Sequence, residues 1–263
     1  MSITFKTPEQ INNMRIAGKL ASEVLDFITP YVKAGITTNE INDLCHHYIV
    51  NTQHAIPAPL NYNPSGNLAY PKSICTSLNE VICHGIPNDK PLKNGDCINI
   101  DVTIIKNGFH GDTSRMFTVG TVAPHAIRLI KTTFEAMWLG IKQVKPGNYL
   151  GDIGYSIQRH CELAGFSVVR EFCGHGIGQR FHEEPQVLHY GNPKQGVILK
   201  AGMIFTIEPM INAGKKEIKM MPDGWGARTK DRTLSAQWEH TVLVTDTGYE
   251  VLTVSEGTPT CPS

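Results

Sequence analysis

Two stretches of this chain read alike, and each ends in a carboxylate. Lys93-Asn94-Gly95 leads through Cys97-Ile98-Asn99-Ile100 to Asp101, and Lys200-Ala201-Gly202 leads through Met203 and Ile207 to Glu208. Each carboxylate falls six residues after its glycine, inside an apolar run that reads as strand. Asp112 and Glu239 follow the two runs, and Gly174-His175-Gly176 lies between them. An ionised carboxylate taken out of water needs a compensating partner. Four acids and a histidine arriving from two matched halves imply metal ions held between those halves.

The match extends beyond the acids. Val32-Lys33-Ala34-Gly35 resembles Val144-Lys145-Pro146-Gly147, each ahead of a short amphipathic helix pattern. Cys83-His84-Gly85-Ile86 resembles Gly174-His175-Gly176-Ile177. The order is the same in both halves: helix pair, His-Gly-Ile, glycine-to-acid strand, second acid. Two copies are too few for a solenoid. They predict an α/β (α+β) fold of two αβ halves, about 7–120 and 121–254, related by a pseudo-twofold axis within one domain of 263 residues. The site then belongs at the seam.

Local signals place the elements. Thr7-Pro8-Glu9-Gln10 and Thr37 to Glu40 read as capping boxes, and Pro30 ends the first helix. Pro124 opens a third helix, and a fourth runs from about Leu150 to Ala164, with Gly165 as its left-handed cap. A proline- and asparagine-rich loop is expected from Ile56 to Lys72, and its length points to a functional role. Phe109-His110-Gly111 is expected to turn the chain so that Asp101 and Asp112, eleven residues apart, face one cavity. Gly174 to Gly178 reads as a glycine-rich loop. Lys215-Lys216 with Lys219 reads as a solvated turn, and Thr258 to Ser263 as a frayed tail.

Charge and cysteine content narrow the function classes. Acidic and basic residues balance at 24 each, which gives no sign of nucleic-acid or anionic-membrane binding. Seven scattered cysteines, with no CxxC pair, read as reduced thiols of a cytosolic protein. No apolar run reaches the roughly 18 residues of a membrane span.

Carboxylates with one imidazole suit Mn, Fe, Co or Zn in a pair. Two such ions share a water, lower its pKa and polarise a carbonyl, which is the equipment of a hydrolase. Asp112 alone would read equally well as a turn acid, and His84 or His182 alone as a structural histidine. His182-Glu183-Glu184-Pro185 is not the two-histidine zinc motif, because position 186 is Gln and Pro185 breaks the helix it needs. No GxSxG nucleophile elbow occurs.

These motifs taken together resemble the type I methionine aminopeptidases, of the pita-bread metallopeptidase family, from Thr7 to about Thr253. The resemblance rests on Val81-Ile82-Cys83-His84-Gly85-Ile86-Pro87, Asn99-Ile100-Asp101-Val102, His110-Gly111-Asp112-Thr113-Ser114, and Gly174-His175-Gly176-Ile177-Gly178. It continues through Phe181-His182-Glu183-Glu184-Pro185, Phe205-Thr206-Ile207-Glu208-Pro209 and Ser235-Ala236-Gln237-Trp238-Glu239-His240-Thr241. It implies the pita-bread fold and two divalent metal ions. Asp112 and Glu239 would bridge them, His175 and Glu208 would serve one, and Asp101 the other. It further implies removal of the N-terminal initiator methionine ahead of a small second residue, by a metal-bridged hydroxide. Glu208 would act as general base, His182 would stabilise the oxyanion, and His84 would contact the scissile nitrogen or new amine.

The resemblance also implies a soft apolar methionine pocket walled by Tyr62, Tyr70, Cys75, Phe181 and Trp225. Pro59, where several relatives have cysteine, and a longer loop from Asn63 to Leu68 depart from the family pattern. Asn79, Val81 and Ser235 match a monovalent-cation (Na or K) site made largely of carbonyls. Only 25 residues separate His182 from Glu208, too few for the helical insertion of type II enzymes. The expected partners are nascent chains beginning with methionine and, transiently, the ribosome. The expected state is a monomer in bacterial cytoplasm.

Overall fold

The computed structural model describes residues 2–64, 66 and 68–262. Ser65 and Asn67 of the longer loop, and Ser263 of the tail, lie outside them. Both predicted capping boxes form. Thr7 Oγ1 accepts the Gln10 N–H at 3.3 Å while Gln10 Oε1 accepts the Thr7 N–H at 2.9 Å, opening α1 (Pro8–Ile28). Thr37 and Glu40 do the same at 3.1 and 2.8 Å for α2 (Thr38–His47). Two strands follow, Ile56–Pro57 (β1) inside the predicted loop and Cys75–Leu78 (β2), then Val81–Cys83 (β3), Cys97–Lys106 (β4) and Phe109–Thr118 (β5). The second half opens with α3 (Pro124–Ile141) and α4 (Leu150–Leu163). Gly165, at φ +81°, ends α4 as predicted. Its strands are Ser167–Val168 (β6), Gly174–Gly176 (β7), Glu183–Val187 (β8), Ile204–Ile207 (β9) and Met210–Asn212 (β10). Ile218–Met220 (β11), Ala227–Thr229 (β12), Ser235–Gln237 (β13), His240–Val244 (β14) and Tyr249–Val251 (β15) complete it.

Two larger sheets carry the site. In the first half β1, β4 and β2 are neighbours in that order, with β5 also on β4; in the second the order is β15-β14-β9-β7-β8. Along β4 the side chains alternate. Ile98, Ile100, Val102 and Ile104 have no exposed surface and pack with Ala17, Val24 and Ile28 of α1 and Ile41 of α2. Asn99, Asp101 and Thr103 therefore point the other way, into the seam. A second core packs Met137, Ile141, Ile153 and Ile157 of α3 and α4 against Phe205, Ile207 and Val242. Position 111 must be glycine for α1 to lie this close, since a Cβ there would sit 2.3 Å from the Ala17 carbonyl carbon.

The sequence repeat is a hydrogen-bond repeat. Gly95 (φ +98°) donates to the Val119 carbonyl at 2.8 Å, and Gly202 (φ +87°) to the Val244 carbonyl at 2.9 Å. The Val119 and Val244 N–H groups return bonds to Asp96 and Met203, each at 2.9 Å. Upstream, Gly35 and Gly147 bond to the Leu92 and Leu199 carbonyls at 2.8 and 3.0 Å. The spacing of Gly95 and Gly202 thus marks one turn used twice, in a backbone region that favours glycine.

Three expectations are corrected. The hairpin turns at Asn107-Gly108 (φ +52° and +77°), while Phe109, His110 and Gly111 already lie in β5. Asn-Gly with two positive φ angles is the tighter hairpin signal. The Gly174-His175-Gly176 segment is a strand, because small residues let β7 lie between β8 and β9: a Cβ on Gly174 would meet the Thr206 carbonyl at 2.3 Å. Of the predicted lysine turn, Lys219 is in β11 and pairs with Arg228.

Candidate metal centre and cleft

Antiparallel register places the first two acids. Asp101 stands opposite Ser114 and Thr103 opposite Asp112, so Asp101 and Asp112 share the seam-facing side of the hairpin. Thr103 Oγ1 donates to Asp112 Oδ1 at 2.7 Å, which leaves Oδ2 turned into the site. From the other half, the Thr206 hydroxyl accepts the His175 N–H at 2.9 Å and donates to Glu208 Oε1 at 2.7 Å. Gln237 Nε2 donates to Glu208 Oε2 at 3.2 Å. Glu239 enters from the residue before β14, and its N–H bonds to the Ser114 carbonyl at 3.2 Å across the seam.

One ligand atom from each of Asp112, His175 and Glu239 lies within 4.8 Å of the others. His175 Nδ1 meets the Gly176 carbonyl at 3.0 Å, so the proton belongs on Nδ1 and Nε2 is free. His175 Nε2 stands 3.6 Å from both Asp112 Oδ2 and Glu208 Oε1. That is too long for a hydrogen bond, yet it is the spacing of two donors each about 2.1 Å from one ion. Asp101 Oδ1 is buried with no hydrogen-bond partner among the described residues. Burial, then the charge of Asp112, pushes the carboxyls of Asp101 and Glu239 well up. Burial lifts Glu208 to about 7. Acids so crowded stay ionised only around a cation, and the donor set of carboxylates and one imidazole fits a divalent ion. Burial opposes protonation of His175, but the facing Asp112 and Glu208 carboxylates outweigh it and raise its pKa.

These groups line a cavity of about 630 Å³. Every residue predicted for the metals, the chemistry and the methionine pocket reaches it: Tyr62, Tyr70, Cys75, His84, Asp101, Asp112, His175, Phe181, His182, Glu208, Trp225 and Glu239. Pro59 is at its wall. The Tyr70 hydroxyl is committed to the Gly85 and Ile74 carbonyls at 2.9 and 3.2 Å, so its ring faces the cavity edge-on to Trp225 at 5.3 Å. His84, held at φ +56°, sets its ring edge against Phe172 at 5.3 Å. Burial keeps the His84 imidazole below its usual value, and burial with the neighbouring His175, His84 and His110 takes His182 down to about 3. Both rings are neutral near pH 7.

Two of the predicted cation residues are joined by a backbone hydrogen bond. The Ser235 N–H donates to the Asn79 carbonyl at 2.9 Å, while Val81 lies in β3 opposite Arg228. Sequence reading missed Phe172, Cys173, Gln186 and Met210 in the cavity wall, and Thr103 as a partner of Asp112. Thr103 and Thr206 were findable, since each stands two strand positions from a predicted ligand. Phe172 and Met210 carried no such signal. All seven cysteines are free thiols. No helix among the described residues is long and apolar enough to cross a membrane.

A cleft walled by aromatic rings, with acids and one histidine at its floor in two-sheet pita-bread geometry, is the site of a metallopeptidase. The model of metallopeptidase family M24 matches residues 12–246, and the chain belongs to that family. At the level of particular proteins, it is 59% identical over 255 residues to the methionine aminopeptidase of Escherichia coli (strain K12), covering 97% of this chain and 95% of that one. It is 56% identical over 256 residues to that of Rickettsia prowazekii (strain Madrid E), covering 97% and 96%. The crystal structure of methionine aminopeptidase from Rickettsia prowazekii superposes with a TM-score of 0.93 at 55% identity, over 96% of this chain and 100% of that one. The prolidase of Pyrococcus furiosus, at 22% identity and TM-score 0.72, shares the fold, and this chain spans 66% of its length.

Proposed function

We propose that this chain removes the N-terminal methionine from polypeptides whose second residue is small. The convergence of Asp101, Asp112, His175, Glu208 and Glu239 beneath an aromatic pocket carries this reading. Asp112 and Glu239 would be shared between two divalent ions (Co, Mn, Fe or Zn), with His175 and Glu208 on one and Asp101 on the other. Bound there, the metals would polarise the scissile carbonyl and acidify water. Tyr62, Tyr70, Cys75, Phe181 and Trp225 would hold the methionine side chain, a flexible thioether suited to an aromatic wall.

Glu208, lifted toward neutrality and holding its carboxylate between Thr206 and Gln237, is suited to take a proton from attacking water and return it to the leaving amine. The Tyr62 hydroxyl lies 2.7 Å from His182 Nδ1. Burial keeps that phenol protonated, so it donates to Nδ1 and holds the His182 proton on Nε2. That proton is the donor for the oxyanion. His84, neutral and with its ring edge against Phe172, would contact the scissile nitrogen. The carbonyls near Asn79, Val81 and Ser235 would take one Na or K ion. A monomeric single domain acting in the cytoplasm, with a transient ribosome contact, completes the reading.

Release of methionine from Met-Ala-Ser and Met-Leu-Ser tests it, after chelation and reloading with each metal. Metal-dependent cleavage of Met-Ala-Ser alone is the expected result. Cleavage of X-Pro peptides in preference to either would overturn it.

A further inference from the structure

The segment Thr4–Lys6 belongs to no motif, yet it reaches the loop that carries Phe181 and His182. The Lys6 ammonium is buried, its side chain 5% exposed, and pairs with Glu183 Oε2 at 2.6 Å. Thr4 Oγ1 donates to the same oxygen at 2.8 Å and also meets Lys6 Nζ. Glu183 Oε1 accepts the Arg180 N–H at 3.2 Å. The Lys6 N–H is itself fixed to the Gly202 carbonyl at 2.8 Å, beside the strand that leads to Glu208. At position 178 a Cβ would lie 2.6 Å from Lys6 Nζ and 2.9 Å from Glu183 Oε1, so glycine there makes room for the pair.

Residues 177–182 have no strand or helix of their own. Within them, Phe181 stacks on His110 at 5.5 Å and on His182 at 4.4 Å. The loop is thus held by stacked rings, by the His110 N–H on the Gly178 carbonyl at 2.9 Å, and by one part-buried ion pair. Such a pair adds little net stability, because desolvation of both charges offsets their attraction; fixing one geometry is its better-attested use. We propose that Lys6 is a positioning residue for the reaction. Through Glu183 it holds the loop so that His182 faces the cleft, and this rests on the role given to His182 above.

A kinetic cycle in the metal-replete enzyme on Met-Ala-Ser tests the proposal. Lys6→Met lowers kcat about tenfold with KM within about threefold, and Lys6→Arg restores it to within about threefold. In a His182→Ala background Lys6→Met changes kcat by less than about twofold, because the group it positions is gone. An equal loss in both backgrounds, or wild-type kcat in folded Lys6→Met, overturns the proposal. If Lys6→Met does not fold, Thr4→Val takes its place, loosening Glu183 without leaving a charge unpaired. It should cost about threefold in the wild type and nothing in His182→Ala; no loss, or equal losses, overturns the proposal. Wild-type turnover in His182→Ala would instead remove the role of His182, and the Lys6 proposal with it. A crippled His182→Ala with an additive Lys6 effect removes the Lys6 proposal alone.

Discussion

Asp101 and Glu208 hang from the same turn, six residues beyond equivalent glycines, but they are held in different ways. Asp101 lies inside the β4–β5 ladder, which runs unbroken from Cys97↔Thr118 to Lys106↔Phe109. Its backbone is fixed by pairing on both sides, with β5 and with β2. Glu208 sits in a gap. β9 stops at Ile207, Pro209 has no N–H to continue a ladder, and β10 resumes in another sheet. The Glu208 N–H is taken by His189 Nε2 at 3.1 Å, and its carboxylate by Thr206 and Gln237. One duplicated motif thus yields a carboxylate fixed by backbone and another placed by side chains. The second is the one suited to exchanging protons.

The largest expected effect is at that second acid. Glu208→Ala in metal-replete enzyme should cut kcat by about 10³-fold, with circular dichroism unchanged; activity within tenfold of wild type would remove it as the base. Next is a pH effect in the metal-free protein. The folded pKa of Glu208, about 7, lies above the ordinary carboxylate value, so its contribution is complete at low pH and lost as pH rises toward 7. Between pH 4.5 and 7.5, chemical denaturation should show wild type losing on the order of 3 kcal/mol relative to Glu208→Gln. Subtracting the variant cancels His189 and His240, whose depressed values act in the opposite sense. Added divalent metal should abolish the difference and release protons.

Smaller effects compare the matched supports. Thr206→Val should lower kcat about tenfold, and Thr103→Val only about twofold, because the ladder holds Asp112 without its hydroxyl. Equal losses would break the contrast between the halves. Smallest are the glycine replacements. Gly95→Ala and Gly202→Ala should each cost about 1 kcal/mol in urea denaturation, for the same left-handed backbone. Gly202 should cost slightly more, since its Cβ would stand 3.3 Å from the Lys6 carbonyl, against 3.7 Å from that of Thr121 for Gly95.

The two-half plan was legible because alternation in β4, paired capping boxes and repeated glycines are all local signals. The four helices and the acid-bearing strands follow from them. The short strands β3, β11, β12 and β13 carry three residues each and little alternation, so only their tertiary neighbours define them. The turn was misplaced by two residues because Gly111 looked like a turn glycine, whereas it serves the approach of α1. In the site, ligands set in apolar runs could be read directly. The residues proposed for the methionine pocket, and His84 and His182, needed the family resemblance, since a tyrosine in a loop or a lone histidine has no distinctive spacing. The grip of Lys6 on Glu183 spans 177 residues and left no pattern at all.

Four bonds cross the seam next to the acids. Asn99 Nδ2 donates to the Gln237 carbonyl, Thr113 Oγ1 to the Glu239 carbonyl, Thr241 Oγ1 to the Asp112 carbonyl, and the Glu239 N–H to the Ser114 carbonyl. The site's floor is therefore also the weld between its two halves. The halves cannot gape like a clam to admit a peptide without tearing apart the very groups that act on it. Traffic must pass over the rim, through the segments around Tyr62, Phe172 and His182, while the floor stays shut.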